Sequence, residues 1–132
     1  MPIFFTPRQA NESLPEVRQI TERILAIKKD ADMKTDDDAM TQAMQALQKE
    51  IQKLEDLGCV LKDMTTGLVD FPAVRLGTRA WLCWRLGEER VRFWHALHEG
   101  FAGREPVDES EFYDDDVAIR SLTGSAPPKP QP

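Results

Sequence analysis

The side chains that could do chemistry are concentrated between residues 67 and 104. This segment contains all three tryptophans, both histidines and six arginines, and it contains no lysine. Arginine is preferred over lysine where a cation must pair in a fixed planar geometry or stack on an aromatic ring. We therefore expect this segment to carry whatever specific recognition the protein performs.

Four side chains of this segment are candidates for a metal site. Thiolate, imidazole and carboxylate groups are the usual ligands of zinc and other transition metals, and neighbouring strands could bring together His95, Asp70, Glu88 and Cys83. The sequence His-Ala-Leu-His-Glu matches neither of the two common metalloprotease motifs, and in a strand His95 and His98 would point to opposite faces. No cofactor is expected from the residues alone. Two interpretations of His95 stay open, a metal ligand and a hydrogen-bonded histidine at the sheet edge.

A cysteine nucleophile activated by histidine is not favoured by the spacing. If residues 87–89 form a tight turn, Cys83 pairs near Val91 or Arg92 rather than near His95. The apolar neighbours of Cys83 in the sequence also favour a buried and unreactive thiol. The sequence contains no Gly-x-Ser-x-Gly motif, phosphate-binding loop or dinucleotide fingerprint. We therefore expect a binding protein more than an enzyme.

An arginine and aromatic surface is the functional site that the sequence favours. Strand alternation over residues 79–86 places Trp81, Cys83 and Arg85 on one face and apolar side chains on the other. The sequence Gly-Phe-Ala-Gly-Arg at residues 100–104 could add backbone donors. The predicted ligand-binding residues for a carboxylate or phosphate are Arg85, Arg92, His95, Arg104 and Trp81. Alternatively, the arginines only pair with nearby carboxylates, at about 0–1 kcal/mol for each exposed pair.

Helical periodicity precedes this segment. Thr6 and Pro7 are typical of a helix start, and Gln9 could complete a capping box. Apolar residues then recur every three or four positions over residues 14–27 and again over residues 40–54, with a polar connector at residues 28–38 between the two runs. They predict an antiparallel helical hairpin over about residues 7–57, in which Pro15 interrupts or restarts the first helix.

A small antiparallel sheet is predicted over about residues 59–98. Four strands are expected to start near Val60, Leu68, Ala80 and Arg90, and the second is expected to stop at Pro72. The apolar residues 3–5 could add an edge strand. The predicted fold class is therefore α+β, with a long helical hairpin packed on an antiparallel sheet of three to five strands.

Length and composition fit one domain of ordinary size. The 132 residues carry a net charge of -6, which argues against general nucleic-acid binding. Two cysteines, together with the lack of a signal peptide or a membrane-spanning stretch in the sequence, favour a reduced and cytoplasmic protein. We expect the domain at residues 1–106, an acidic segment at residues 107–120 and a disordered tail at residues 121–132.

A series of motifs resembles a bacterial family of unknown function, domain-of-unknown-function family 2203. These motifs run from the first helix start to the glycine-containing loop: Phe5-Thr6, Leu14-Pro15, Leu57-Gly58, Gly67-Leu68-Val69-Asp70-Phe71-Pro72, Leu82-Cys83-Trp84, Leu86-Gly87-Glu88, Trp94-His95 and Gly100-Phe101-Ala102-Gly103-Arg104. The resemblance covers about residues 3–106 and implies no activity. It adds weight to a group of side chains in the strand-rich region: Asp70, Cys83, Trp84, Glu88, His95 and Arg104.

The function predicted from the sequence is a non-catalytic binding or assembly module. It would use the arginine, tryptophan and histidine face to bind an anionic small molecule or a protein partner. One alternative is a small metal-dependent enzyme centred on His95. The other is a homodimeric scaffold that associates through the helical hairpin. No membrane partner is expected.

Overall fold

Two long helices form the predicted hairpin. The computed structural model describes residues 1–124, in which α1 spans Pro7–Ala31 and α2 spans Asp37–Asp56. Thr6 and Gln9 exchange side-chain and backbone hydrogen bonds at the start of α1, as a capping box requires. The two helices pack on each other, which confirms the hairpin. Within residues 1–124, no helix combines the length and the apolar character that crossing a membrane requires.

Pro15 lies inside α1 and does not break it, so the expected interruption is wrong. A proline within a helix removes one backbone hydrogen bond and crowds the preceding turn. The neighbouring Leu14 and Val17 are both buried in the core, and burial of such side chains contributes about 1.5–3 kcal/mol each. Packing therefore outweighs the local cost of the proline.

Five antiparallel strands follow, arranged in the sheet in the order in which they occur in the chain. Their bounds are Val60–Asp63 for β1, Leu68–Arg75 for β2, Thr78–Arg85 for β3, Phe93–Ala96 for β4 and Glu105–Pro106 for β5. One face contributes Val69, Phe71, Leu82 and Trp84 to a common core with the hairpin. The alternate residues of these strands, among them Asp70, Cys83 and His95, lie on the other face, named the outer face below. The α+β fold class is confirmed.

Residues 3–5 do not form the expected edge strand. The Phe5 ring is buried in the core, and its amide donates to the Pro72 carbonyl at 2.7 Å. The Asp115 side chain accepts from the amides of Ile3 and Phe4. Because a side chain and a single carbonyl satisfy these amides, no strand ladder forms, and the fifth strand is β5 instead.

β2 continues through Pro72, where the sequence predicted its end. The Pro72 carbonyl accepts a hydrogen bond from the Phe5 amide and so points away from β3. In an antiparallel strand the backbone nitrogen and carbonyl of one residue point to the same side, so the Pro72 nitrogen also points away from β3. Pairing between β1 and β2 extends only as far as Asp70. The missing N–H of the proline therefore removes no hydrogen bond from the sheet.

The acidic segment packs against the sheet. Phe112 and Tyr113 are buried, and Arg75 of β2 donates to both carboxylate oxygens of Glu111. A short helix, α3, spans Asp115–Leu122 and packs with Val74 at one end of the outer face. Of the predicted tail, residues 125–132 lie outside the described residues.

Candidate metal site on the outer face

Strand pairing brings together three of the four predicted metal-site residues. Asp70 lies directly opposite Cys83 across β2 and β3. His95 lies opposite Trp81 across β3 and β4, two positions along the strand from Cys83. One donor atom from each of Asp70, Cys83 and His95 lies within 4.8 Å of the other two. We call these three side chains the donor cluster.

The donor cluster is buried, although it lies on the face away from the hairpin. The relative exposure is 2% for Asp70, 0% for Cys83 and 3% for His95. Acidic side chains are rarely buried to this extent unless they are paired, hydrogen-bonded or bound to a metal. The partners of each donor therefore decide what the cluster can do.

The two ring nitrogens of His95 have different partners. Nδ1 lies 2.9 Å from the Ala96 carbonyl oxygen, and because a carbonyl only accepts, Nδ1 must carry a proton. Nε2 lies 3.0 Å from Oδ2 of Asp70. A backbone carbonyl bonded to one ring nitrogen is a common way of orienting a metal-binding histidine, since it directs the other nitrogen to the metal.

The Asp70 carboxylate is only partly satisfied. Its Oδ2 contacts His95, and the Lys62 ammonium lies 4.0 Å from the same oxygen. Its Oδ1 is buried and has no hydrogen-bond partner within residues 1–124. A buried acceptor without a partner costs about 1–3 kcal/mol, and more when it is charged. A cation placed next to Oδ1 would remove that cost.

Cys83 completes the cluster as a protonated thiol. Burial raises its pKa to about 12, the negative charge of Asp70 acts in the same direction, and the positive charge of Arg104 opposes them. Burial also raises the pKa of Cys59 to about 12, but Cys59 lies in the hydrophobic core beneath the other face. At neutral pH the Cys83 thiol keeps its proton unless a bound metal displaces it.

The turn before β4 is longer than predicted, and its length is the reason that Cys83 and His95 approach each other. Cys83 pairs with Phe93 rather than with residues 91–92, and β4 starts at residue 93 rather than near residue 90. The Asn11 side chain accepts from the Val91 amide at 2.7 Å and donates to the Val91 carbonyl at 3.1 Å. A contact from α1 therefore holds the backbone of this turn at Val91.

Comparison with known proteins agrees with the resemblance seen in the motifs. Residues 3–107 match the family described as an uncharacterized conserved protein, DUF2203. The chain belongs to the DUF2203 family. No curated protein and no solved structure matches it. The matched residues include the whole donor cluster.

The fourth candidate ligand of this DUF2203 protein, Glu88, does not join the donor cluster. Its carboxylate oxygens accept from the Arg104 guanidinium at 2.7 and 2.8 Å, and one of them also accepts from the Arg85 amide at 2.7 Å. Burial raises the pKa of Glu88, but the hydrogen bonds from Arg104 and Arg85 outweigh it, and the pKa lies below its ordinary value. Glu88 is therefore an ionised partner of Arg104.

Two of the predicted anion-binding arginines stack on aromatic rings. The Arg104 guanidinium carbon lies 4.2 Å from the Phe93 ring centroid and 4.4 Å from that of Phe101, while Arg85 lies 5.1 Å from Phe101. Arg104 also donates to the Cys83 carbonyl at 3.2 Å. The Glu88 carboxylate already neutralises the Arg104 charge. Arg104 therefore stabilises β3 at Cys83 and does not offer a free charge to a ligand.

The other predicted binding residues lie in different places. Arg92 pairs with Glu89 at 3.4 Å in the turn before β4, whereas His95 belongs to the donor cluster. Trp81 lies beneath the Lys62 ammonium, which is 4.3 Å from the indole ring centroid. Lys62 was not among the predicted residues, because it lies at an irregularity in the pairing of β1 with β2 that no single strand pattern reveals.

Proposed function

We propose that this protein binds one transition-metal ion through the carboxylate of Asp70, the thiolate of Cys83 and Nε2 of His95. The proposal is carried by the buried Asp70 carboxylate, whose Oδ1 has no hydrogen-bond partner within residues 1–124 and which lies beside a thiol and an imidazole. Native proteins rarely leave such an acceptor unsatisfied. A divalent cation would satisfy it and would give all three buried donors a common role.

Zinc fits the three donors best. A thiolate, an imidazole and a carboxylate form a mixed set of ligands that suits zinc and its neighbours cobalt and nickel, whereas magnesium and calcium prefer oxygen ligands alone. Zinc–ligand bonds of about 2.0–2.3 Å separate the ligand atoms of a tetrahedron by about 3.3–3.8 Å. The donor atoms lie within 4.8 Å of one another, so small side-chain rotations would bring them to these separations.

The competing interpretation is a buried ion pair between Asp70 and protonated His95. Such a pair would account for the 3.0 Å contact between them. In that interpretation the Cys83 thiol donates a hydrogen bond to the Asp70 carboxylate, and Oδ1 of Asp70 is left without a partner within residues 1–124. We favour the metal because it would satisfy Oδ1 of Asp70, which the ion pair leaves without a partner.

This proposal develops the metal-centred alternative and moves it ahead of the anion-binding arginine surface. Arg104 is paired with the part-buried Glu88 carboxylate and offers no free cation to a ligand, whereas Arg92 pairs with Glu89 through exposed side chains in the turn before β4, away from the donor cluster. The proposal concerns metal binding and includes no catalytic step. Dimerisation through the helical hairpin and a cytoplasmic location stay predictions.

Metal analysis with matched cysteine variants tests the proposal. Protein purified without chelators should contain about one zinc or similar ion per chain by mass spectrometry of the metal, as a three-ligand site requires. Metal-free protein should bind Co²⁺ and develop the intense near-ultraviolet absorption of a cobalt–thiolate bond. Cys83→Ser should lose this absorption, whereas Cys59→Ser, which changes an equally buried thiol in the core, should keep it.

The two histidines provide a second matched pair. His95→Ala should abolish binding of Co²⁺ at micromolar concentrations, and His98→Ala, which changes an exposed side chain, should leave it intact. Circular dichroism of each variant shows whether the fold is kept. If the folded wild-type protein binds neither zinc nor Co²⁺, the proposal is wrong and the cluster is an ion pair beside a buried thiol.

A further inference from the structure

The donor cluster supplies three of the four ligands that a tetrahedral metal ion takes. Its three donors come from three adjacent strands and form a triangle above the sheet, because His95 is displaced by two positions from the Asp70–Cys83 pair. The backbone of the sheet lies below this triangle. A tetrahedral ion held by three protein ligands keeps its fourth position for water or another ligand, and here that position points away from the sheet.

Lys62 lies beside the donor cluster. Its ammonium is 4.0 Å from Oδ2 of Asp70 and 4.3 Å from the centroid of the Trp81 ring. It lies where the register of β1 against β2 shifts between Leu61 and Asp63, and such bulges redirect side chains. Its side chain is partly exposed, whereas the donors beneath it are buried.

The charges at the site favour an anionic fourth ligand. The Asp70 carboxylate and a Cys83 thiolate together neutralise a divalent ion, and the histidine ligand is neutral when it binds a metal. The Lys62 ammonium then has no other ion-pair partner within residues 1–124, because the partner it has is Asp70. One positive charge is left beside the open coordination position, and a monovalent anion would balance it.

We propose that the metal-loaded site binds a small carboxylate, with one carboxylate oxygen on the metal and the other on the Lys62 ammonium above Trp81. This inference rests on the metal binding proposed above. The ligand must be small, because the donors are almost completely buried and Lys62 and Trp81 lie close to them. Lys62 is assigned to ligand binding and not to the coordination of the metal.

Acetate titrated into the Co²⁺-loaded protein tests the inference, with ionic strength held constant by sodium perchlorate. The visible absorption of tetrahedral Co²⁺ responds to exchange of its fourth ligand, so acetate should shift it in a saturable way. Lys62→Met should weaken acetate binding about tenfold or more, because it removes a charge-assisted hydrogen bond. Lys62→Arg should restore part of the affinity, and Lys49→Met, on the exposed surface of α2, should have no effect.

The outcomes separate this inference from the proposal on which it rests. If Co²⁺ does not bind, metal binding itself fails and the carboxylate site fails with it. If Co²⁺ binds with the cobalt–thiolate absorption but acetate at 100-fold molar excess over the protein and above leaves the spectrum unchanged, metal binding stands and the carboxylate site is wrong. If Lys62→Met binds acetate as tightly as Lys49→Met does, Lys62 serves only to offset the charge of Asp70.

Discussion

Replacement of Glu88 by glutamine should destabilise the protein more than any exposed charge replacement. The side chains of Arg104 and Glu88 are only 11% and 23% exposed, and they share two hydrogen bonds of 2.7 and 2.8 Å. Loss of one partner from a buried ion pair costs about 3–5 kcal/mol. Partial exposure, and the acceptor oxygen that glutamine keeps, reduce the expected loss to about 2–4 kcal/mol of unfolding free energy.

Urea unfolding followed by tryptophan fluorescence and circular dichroism measures this loss. Glu12→Gln is the matched control, because the Arg8–Glu12 pair is 80% and 67% exposed and should contribute about 0.5 kcal/mol or less. In Glu88→Gln combined with Arg104→Met, no buried guanidinium is left unpaired, so the double variant should lose less than the sum of the two single losses. A loss near that of Glu12→Gln, or strict additivity, would refute the assignment of a buried pair.

Three further predictions concern other parts of the molecule. Hydrogen bonds from Lys53 and Arg23 lower the pKa of Glu50, so its stabilising contribution is present above the ordinary glutamate pKa of about 4.3 and is lost as the pH falls below it. Glu50→Gln should therefore flatten the acid part of the unfolding free energy measured against pH, and an unchanged slope would contradict this. Asn11→Ala should cost about 1–3 kcal/mol in urea unfolding, because a backbone amide in the turn before β4 loses its acceptor; a loss within error of zero would mean that α1 does not hold this turn. The Cys59 thiol, buried and with a pKa of about 12, should react with iodoacetamide only on unfolding, and rapid labelling of the native protein would contradict its place in the core.

Local patterns in the sequence were sufficient to predict most of the fold. The apolar spacing of three and four residues predicts the hairpin because each helix buries one stripe against its neighbour. The alternation in β3 predicts which of its side chains face the core. The predictions at Pro15 and Pro72 were wrong because the effect of a proline depends on its surroundings. At Pro15 the burial of neighbouring side chains outweighs the cost of the proline, and at Pro72 the pairing of β1 with β2 has already ended, so no hydrogen bond is lost.

The candidate site could be predicted only in part, because its geometry depends on long-range contacts. Strand assignment alone was enough to propose Asp70, Cys83 and His95 as a group. Their actual approach requires the longer turn that Asn11 holds, across 80 residues of sequence. The position of Lys62 beside Asp70 could be recognised only once the register of β1 against β2 was known. Glu88 could be excluded as a metal ligand only once its pairing with Arg104 was known. The sequence alone does not distinguish a glutamate that is free to bind a metal from one that is paired with an arginine.

The core and the donor cluster lie on opposite faces of one sheet, so the metal binding proposed for the cluster would be separate from folding. Small zinc domains unfold without their metal because the metal replaces a hydrophobic core. Here Asp70, Cys83 and His95 lie outside the core that joins the sheet to the hairpin, and the paired strands hold the donors in place before any metal arrives. A metal at 100 times its dissociation constant should add about 2.7 kcal/mol to the unfolding free energy. Chelation should therefore lower the unfolding midpoint and leave the far-ultraviolet circular dichroism of the native state unchanged. Loss of secondary structure on chelation would mean that the outer face, and not the core shared with the hairpin, holds the sheet together.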